Sequence, residues 1–125
     1  MTAVDTSALV HSICGERLSA VVLRRAVERG ERLFLPSVVL FEWLRGPRVA
    51  AELISQEVLF PSAAAAVFGP REAELAAKLY RSVARPRGRE IDIAIAATAI
   101  LRDAELWTLN PGDFADIPGL RLASF

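Results

Sequence analysis

Four carboxylates sit in or against the most apolar stretches of this chain, and any fold it adopts must account for them. Asp5 follows Ala3-Val4. Glu42 lies inside Val38-Val39-Leu40-Phe41-Glu42-Trp43-Leu44, Asp92 inside Ile91-Asp92-Ile93-Ala94-Ile95, and Asp113 beside Phe114. A carboxylate buried without a partner is costly. The fold must therefore give each acid a basic partner, or give all of them a cation.

The apolar pattern indicates which fold that is. Residues 2–5 read as a short buried strand, and Thr6-Ser7 as a helix cap and start. Residues 7–14 read as a helix ending near Gly15. Leu18, Val21, Val22 and Ala26 recur at helical spacing in a segment that stops at Gly30. Leu33-Phe34-Leu35 reads as a strand halted by Pro36. Ser37 is expected to cap a helix through Leu44, closed by Gly46-Pro47. A helix over 49–55, a strand over 58–60 and an amphipathic helix over 71–84 follow. Pro86-Arg87-Gly88 breaks the chain. A helix of small residues runs over 92–103, then a strand over 106–109, a loop over 111–118 and a last strand over 120–123.

Strands alternating with helices indicate an α/β fold with a parallel sheet covered on both faces. The continuous apolar strands agree, because a parallel strand buries both its faces. The alanines of 92–103 let that helix pack closely on the sheet.

In open parallel sheets, sites form beyond the carboxyl ends of the strands. Asp5 ends the first strand, and Asp113 lies just past the strand 106–109. Glu42 lies within two turns of the start of the helix after the second strand. Asp92 opens the helix that leads into 106–109. A crossover helix runs antiparallel to its strands, so its N-terminus points at their carboxyl edge. All four acids are thereby expected on one rim. Two unit charges about 5 Å apart repel by roughly 3 kcal/mol at an effective dielectric of 20. Several such pairs are serious for a domain stable by ~5–15 kcal/mol. Either some acids are protonated or a cation sits among them. Oxygen ligands without His or Cys select Mg²⁺ or Mn²⁺, and such an ion can activate water and offset charge on a phosphoryl group.

Composition removes the alternatives that need other residues. His11 is the only histidine and Cys14 the only cysteine. A His/His nuclease, a multi-cysteine zinc site and an internal disulfide are therefore excluded. His11 reads as an ordinary helix residue and Cys14 as a buried packing residue. With 125 residues, 53% of them apolar, the chain is expected to form one domain over 1–125 with a substantial core. No apolar stretch approaches the ~18–20 residues of a membrane span. The N-terminus lacks the pattern of a signal peptide, so a cytoplasmic location is expected. Net charge is zero, yet arginines cluster at Arg24-Arg25-Arg29-Arg32 and at Arg81-Arg85-Arg87-Arg89, with Lys78 the sole lysine.

At this point the residues match a family. Val4-Asp5-Thr6-Ser7-Ala8-Leu9-Val10, Ser37 to Gly46, Asp92-Ile93-Ala94-Ile95-Ala96-Ala97-Thr98-Ala99, Thr108-Leu109-Asn110-Pro111-Gly112-Asp113-Phe114 and Ile117-Pro118-Gly119-Leu120 resemble PIN-domain proteins. Within that family they are most similar to VapC-like ribonuclease toxins of prokaryotic type II toxin–antitoxin systems. The resemblance covers essentially the whole chain. It implies a three-layer α/β/α fold with a five-stranded parallel sheet, and Mg²⁺- or Mn²⁺-dependent RNA cleavage by metal-activated water.

Carried over by position, the resemblance makes Asp5 and Asp92 the central metal ligands. Glu42 binds or orients a second metal or its water, and Asp113 fills the fourth acidic position. Thr108 and Asn110 support Asp113 by hydrogen bonds, and Thr6 or Ser7 helps to hold the site or caps the helix. Arg45, Arg85, Arg87 and Arg89 are candidates for the RNA backbone. A homodimer and a cognate antitoxin are implied as partners, with apolar surface around Leu40, Phe41, Trp43 and Leu44 available to either. Three other readings stand beside this one. They are a PIN nuclease in RNA processing, a catalytically silent PIN binding module, and a phosphatase of another α/β fold. The last lacks the second Asp that a haloacid dehalogenase-like site would place at Ser7.

Overall fold

Strand β1 (Thr2–Val4) has three successive buried side chains. Neighbouring strand residues point to opposite faces, so both faces of the sheet are covered and the layers number three. In this computed structural model the described residues are 1–15 and 17–125. Among them, β1 is central to a three-stranded sheet of order β2-β1-β3, with β2 at Leu33–Phe34 and β3 at Glu105–Trp107. Both pairings are parallel; Ala3 lies opposite Phe34 on one side and Leu106 on the other.

Two single bridges extend this sheet at its edges in place of the five full strands expected. One joins Pro36 to Ala66, the other Leu106 to Leu122. The outer position beside β2 is therefore held by the segment at Ala66, not by 58–60. The Ala66 backbone bonds to Leu35 and Ser37, and the Ser37 hydroxyl accepts the Phe68 N–H. Val58 and Leu59 instead complete helix α4 (Ala50–Leu59). Gln56, buried, closes that helix by donating from Nε2 to the Phe60 carbonyl. The run Val58-Leu59-Phe60 is apolar but not buried as a strand: Val58 is 76% exposed and only Phe60 enters the core.

The β1-to-β2 connection is made by α1 (Thr6–Cys14) and α2 (Arg17–Glu28). The side chain of Leu18, one of the positions read as apolar face, lies outside the described residues. Gly30, at φ +82°, ends α2: its N–H bonds to the Val27 carbonyl and the Glu31 N–H to that of Ala26. This pair of bonds requires the left-handed backbone that glycine adopts freely. Cys14 is exposed at the end of α1, not buried, and His11 Nδ1 lies 2.9 Å from the Ser19 hydroxyl.

Return to β3 runs through α3 (Ser37–Arg45), α4, α5 (Pro70–Ser82) and α6 (Glu90–Leu101). Ser37 is the first residue of α3, after Pro36 at the cap position, and does not cap it. Pro70 opens α5, where a missing N–H costs nothing. The carboxylate of Glu72 receives the Gly69 N–H and fixes the start. α6 is apolar on every side, the mark of a buried helix. Ala96, Ala97 and Ala99 are fully buried there, as close packing on the sheet requires. The remaining core is built from Trp43, Leu9, Ile93, Ile95, Leu106 and Phe114. No described helix is long and apolar enough to cross a membrane.

Candidate active site

Asp5 stands one residue beyond β1, its N–H still bonded to the Trp107 carbonyl at 2.9 Å. It occupies the N-cap position of α1, yet its side chain makes no capping bond. The carboxylate is turned to the neighbouring strand instead. Thr108 Oγ1 donates to Asp5 Oδ2 at 2.7 Å, and Ser7 Oγ donates to the same oxygen at 3.0 Å. Each hydroxyl also accepts a backbone N–H, Thr108 from Asn110 and Ser7 from Leu109, both at 3.0 Å. A hydroxyl carries one proton. Thr108 accepts from the turn at 108–110 and lies 3.3 Å from the Ser7 hydroxyl, and its shortest bond, at 2.7 Å, directs its proton to Asp5. An acid only 5% exposed is thereby held in one orientation, and no described donor reaches its other oxygen, Oδ1.

Asn110 enters this arrangement through its backbone. It caps the single turn of 3₁₀ helix at Pro111–Asp113 without a side-chain bond, and its carbonyl accepts the Asp113 N–H at 3.0 Å. Its side chain gives Asp113 no described hydrogen bond. Thr108 likewise supports Asp5, not Asp113. Thr6 acts across the helices: its hydroxyl donates to Glu42 Oε1 at 2.6 Å, tying the start of α1 to α3. The other oxygen of Glu42 pairs with Arg45 at 3.2 Å.

Asp92 lies in the first turn of α6. Burial, then the charges of Asp5, Asp113 and Glu42, push its carboxyl up to about 6, with Arg89 opposing. The four acids thus share one electrostatic neighbourhood. Among the described residues, however, no three of them close into a ready-made cage for a metal ion. The two findings differ in range, because a field acts well beyond ligand distance. We take the field as the sign of convergence. An oxygen-only, partly filled donor set of net negative charge suits Mg²⁺ or Mn²⁺, which keep several waters when bound.

The electrostatics have a measurable consequence in metal-free protein. Folded Asp92 keeps its proton up to about pH 6, whereas its ordinary value is 3.8. Between these values the folded state binds more protons, so this group makes stability fall as pH rises. Asp116 and Glu72, held low by hydrogen bonds, work in the opposite direction. The difference between wild type and Asp92→Asn isolates the Asp92 contribution. Urea melts in EDTA should show wild type losing about 1–2 kcal/mol relative to the variant from pH 4 to 7, after allowance for solvent screening. Parallel pH profiles would remove mutual repulsion from the account of this site.

The arginines divide into two kinds. Arg85 and Arg87 are exposed, and Arg85 sits at φ +51°. Arg45 is exposed beside Glu42, its guanidinium over the Phe41 ring at 5.2 Å. Arg89 is engaged: Nη1 and Nη2 hold Asp116 at 3.0 and 2.6 Å. Asp116 carries no local sequence signal, being 27 residues from its partner. Of the apolar surface expected on α3, Phe41 and Leu44 are exposed and Leu40 is partly buried, whereas Trp43 is wholly in the core.

Residues 2–120 match the PIN domain family. The chain is 34% identical over 124 residues to Ribonuclease VapC19 of Mycobacterium tuberculosis, spanning 97% of this chain and 98% of that protein. Among solved structures it is similar to the DNA-bound VapBC of Salmonella typhimurium, with a TM-score of 0.74 at 21% identity, covering 98% of this chain and 96% of that one. It is also similar to VapBC2 of Rickettsia felis bound to a promoter DNA fragment, with a TM-score of 0.72 at 17% identity and coverage of 99% and 98%. At these identities the structures speak for the fold.

Proposed function

The chain belongs to the PIN domain family, and from that premise we propose that it is a Mg²⁺- or Mn²⁺-dependent endoribonuclease, the toxin of a toxin–antitoxin pair. What supports the reading is the placement of the four acids: Thr6, next to Asp5, ties Glu42 to the start of α1, Arg89 ties the Asp113 backbone to the start of the helix that carries Asp92, and burial and the other three charges raise the Asp92 carboxyl. The identity to a protein named as a ribonuclease supports the choice of RNA.

In this reading Asp5 and Asp92 hold the cation, with Glu42 and Asp113 contributing to the same shell or to its waters. The bound ion would supply water activation and offset of charge at the phosphodiester. The chain's own part is positioning. Thr108 and Ser7 fix the Asp5 carboxylate. Thr6 and Arg45 hold Glu42 from two sides. Arg45, Arg85 and Arg87, all exposed, are assigned in this reading to RNA phosphates, a task suited to the planar guanidinium. The partners proposed are RNA, a cognate antitoxin and a second copy of the chain. An apolar groove of about 320 Å³, lined by Leu23, Val27 and Leu59 among others, and the exposed Phe41 and Leu44 offer surface for the two protein partners.

The test is cleavage of RNA by the purified protein with Mg²⁺ or Mn²⁺, and its loss in EDTA. Expression alone should arrest growth, and co-expression of the adjacent reading frame should restore it. Cleavage that persists in EDTA would refute the metal, and cleavage without growth arrest would refute the toxin. Thr108→Val should lower cleavage about 10- to 100-fold, the usual effect of removing a bond that orients a metal ligand. An unchanged rate would show that Asp5 needs no such support.

A further inference from the structure

Arg89 draws together backbone that the chain leaves far apart. It occupies the N-cap position of α6, the helix that carries Asp92 in its first turn. Its guanidinium makes four bonds. Nη1 donates to Asp116 Oδ2 at 3.0 Å and to the Ala84 carbonyl at 3.1 Å. Nη2 donates to Asp116 Oδ1 at 2.6 Å and to the Asp113 carbonyl at 3.1 Å. A two-pronged arginine–carboxylate pair fixes direction as well as distance. One side chain therefore pins the start of the α5–α6 connection, at Ala84, and the loop at 113–116 to the N-terminus of α6.

We propose that Arg89 is a positioning residue for the cation site, setting the distance between Asp92 and Asp113 through its pair with Asp116. The inference rests on the reading of the four acids as a metal centre. Asp92 and Asp113 have no other direct connection among the described hydrogen bonds. The turn that carries Asp113 is exposed and bonded mainly within itself at Asn110 and Pro111. Of the described bonds, those from Arg89 are the ones joining this turn to α6. The guanidinium also supplies positive charge beside both acids. Its donors are directed at Asp116 and at carbonyl oxygens, so it balances the acids without competing for their ligand oxygens. Asp116 in turn earns its place by orienting Arg89, and is not itself a ligand.

The test is Mn²⁺ binding to RNA-free protein, followed by the electron paramagnetic resonance of the free ion, with thermal melting alongside. Arg89→Ala and Asp116→Asn should each weaken Mn²⁺ binding about 10- to 100-fold, with folding retained by circular dichroism. The double variant should bind as weakly as either single one, because both act through one pair. Arg89→Lys should recover only part of the affinity, since an ammonium supplies charge but not the fork. Raised Mn²⁺ should restore cleavage by Arg89→Ala toward the wild-type maximum. Unchanged Mn²⁺ affinity in both single variants, even with a lowered melting temperature, would make the pair structural and overturn the inference while leaving the metal-centre reading intact. A wild-type protein that binds no Mn²⁺ would overturn both.

Discussion

Replacing Asp92 by Asn is expected to lower RNA cleavage about a thousandfold or more, which is about 4 kcal/mol of barrier, and to do so without harm to the fold. The two halves of that expectation come from one arrangement. Asp92 faces the charges of three other acids. An amide in its place removes that repulsion and also removes the anionic oxygen a divalent ion needs. Single-turnover cleavage in saturating Mn²⁺ measures the first half. Melting in EDTA at pH 7 measures the second, where the variant should equal or exceed wild type. Asp5→Asn should match it in activity. Its stability should be nearly unchanged, because an amide oxygen at the Oδ2 position still accepts from Thr108 and Ser7. A variant that cleaves normally would sink the assignment of its acid, and marked destabilisation of metal-free Asp92→Asn would assign that carboxylate to structure.

The second large effect lies one residue from the site. Trp43 is completely buried and packs under the Arg48 guanidinium, 4.1 Å from the ring centre. Arg48 Nε donates to the Trp43 carbonyl at 2.9 Å. Trp43→Ala should cost about 3–5 kcal/mol, the transfer term plus the cavity. Against a total of about 5–15 kcal/mol, that brings the fold close to its limit. Trp43→Phe should lose much less. The indole Nε1 is the one buried side-chain polar atom without a partner among the described residues, and an unpaired buried N–H costs about 1–3 kcal/mol that Phe does not incur. Urea denaturation of both variants decides this; equal losses would mean that the orphaned N–H carries no penalty. Because Glu42 precedes Trp43 on α3, the same truncation should loosen Thr6 from Glu42.

Much of this was legible in the sequence because it depends on short-range pattern. The alternation of apolar runs and helical spacings located all three strands and all six helices. The rule that sites gather at carboxyl edges is what leads to expecting Asp5, Glu42, Asp92 and Asp113 on one rim. What the pattern could not resolve was which apolar run enters the sheet. Val58-Leu59-Phe60 has strand composition, but Gln56 closes a helix around it, and the edge position passes to Ala66, the last of a run of four alanines. Cys14 looked like core because cysteine is usually buried, and helix α1 ends with it facing out. Within the candidate site, Thr6, Ser7 and Thr108 are legible as supports, but not which acid each one serves. That Thr108 serves Asp5, and that Arg89 is taken up by Asp116, depend on contacts 103 and 27 residues apart. No local spacing encodes such contacts.

The bond from Thr108 to Asp5 spans nearly the whole chain. During synthesis Asp5 is made 103 residues before its orienting hydroxyl, so the carboxylate is fixed only once the segment at 108–110 exists. The proposed activity should therefore be missing from any nascent chain that stops short of that segment.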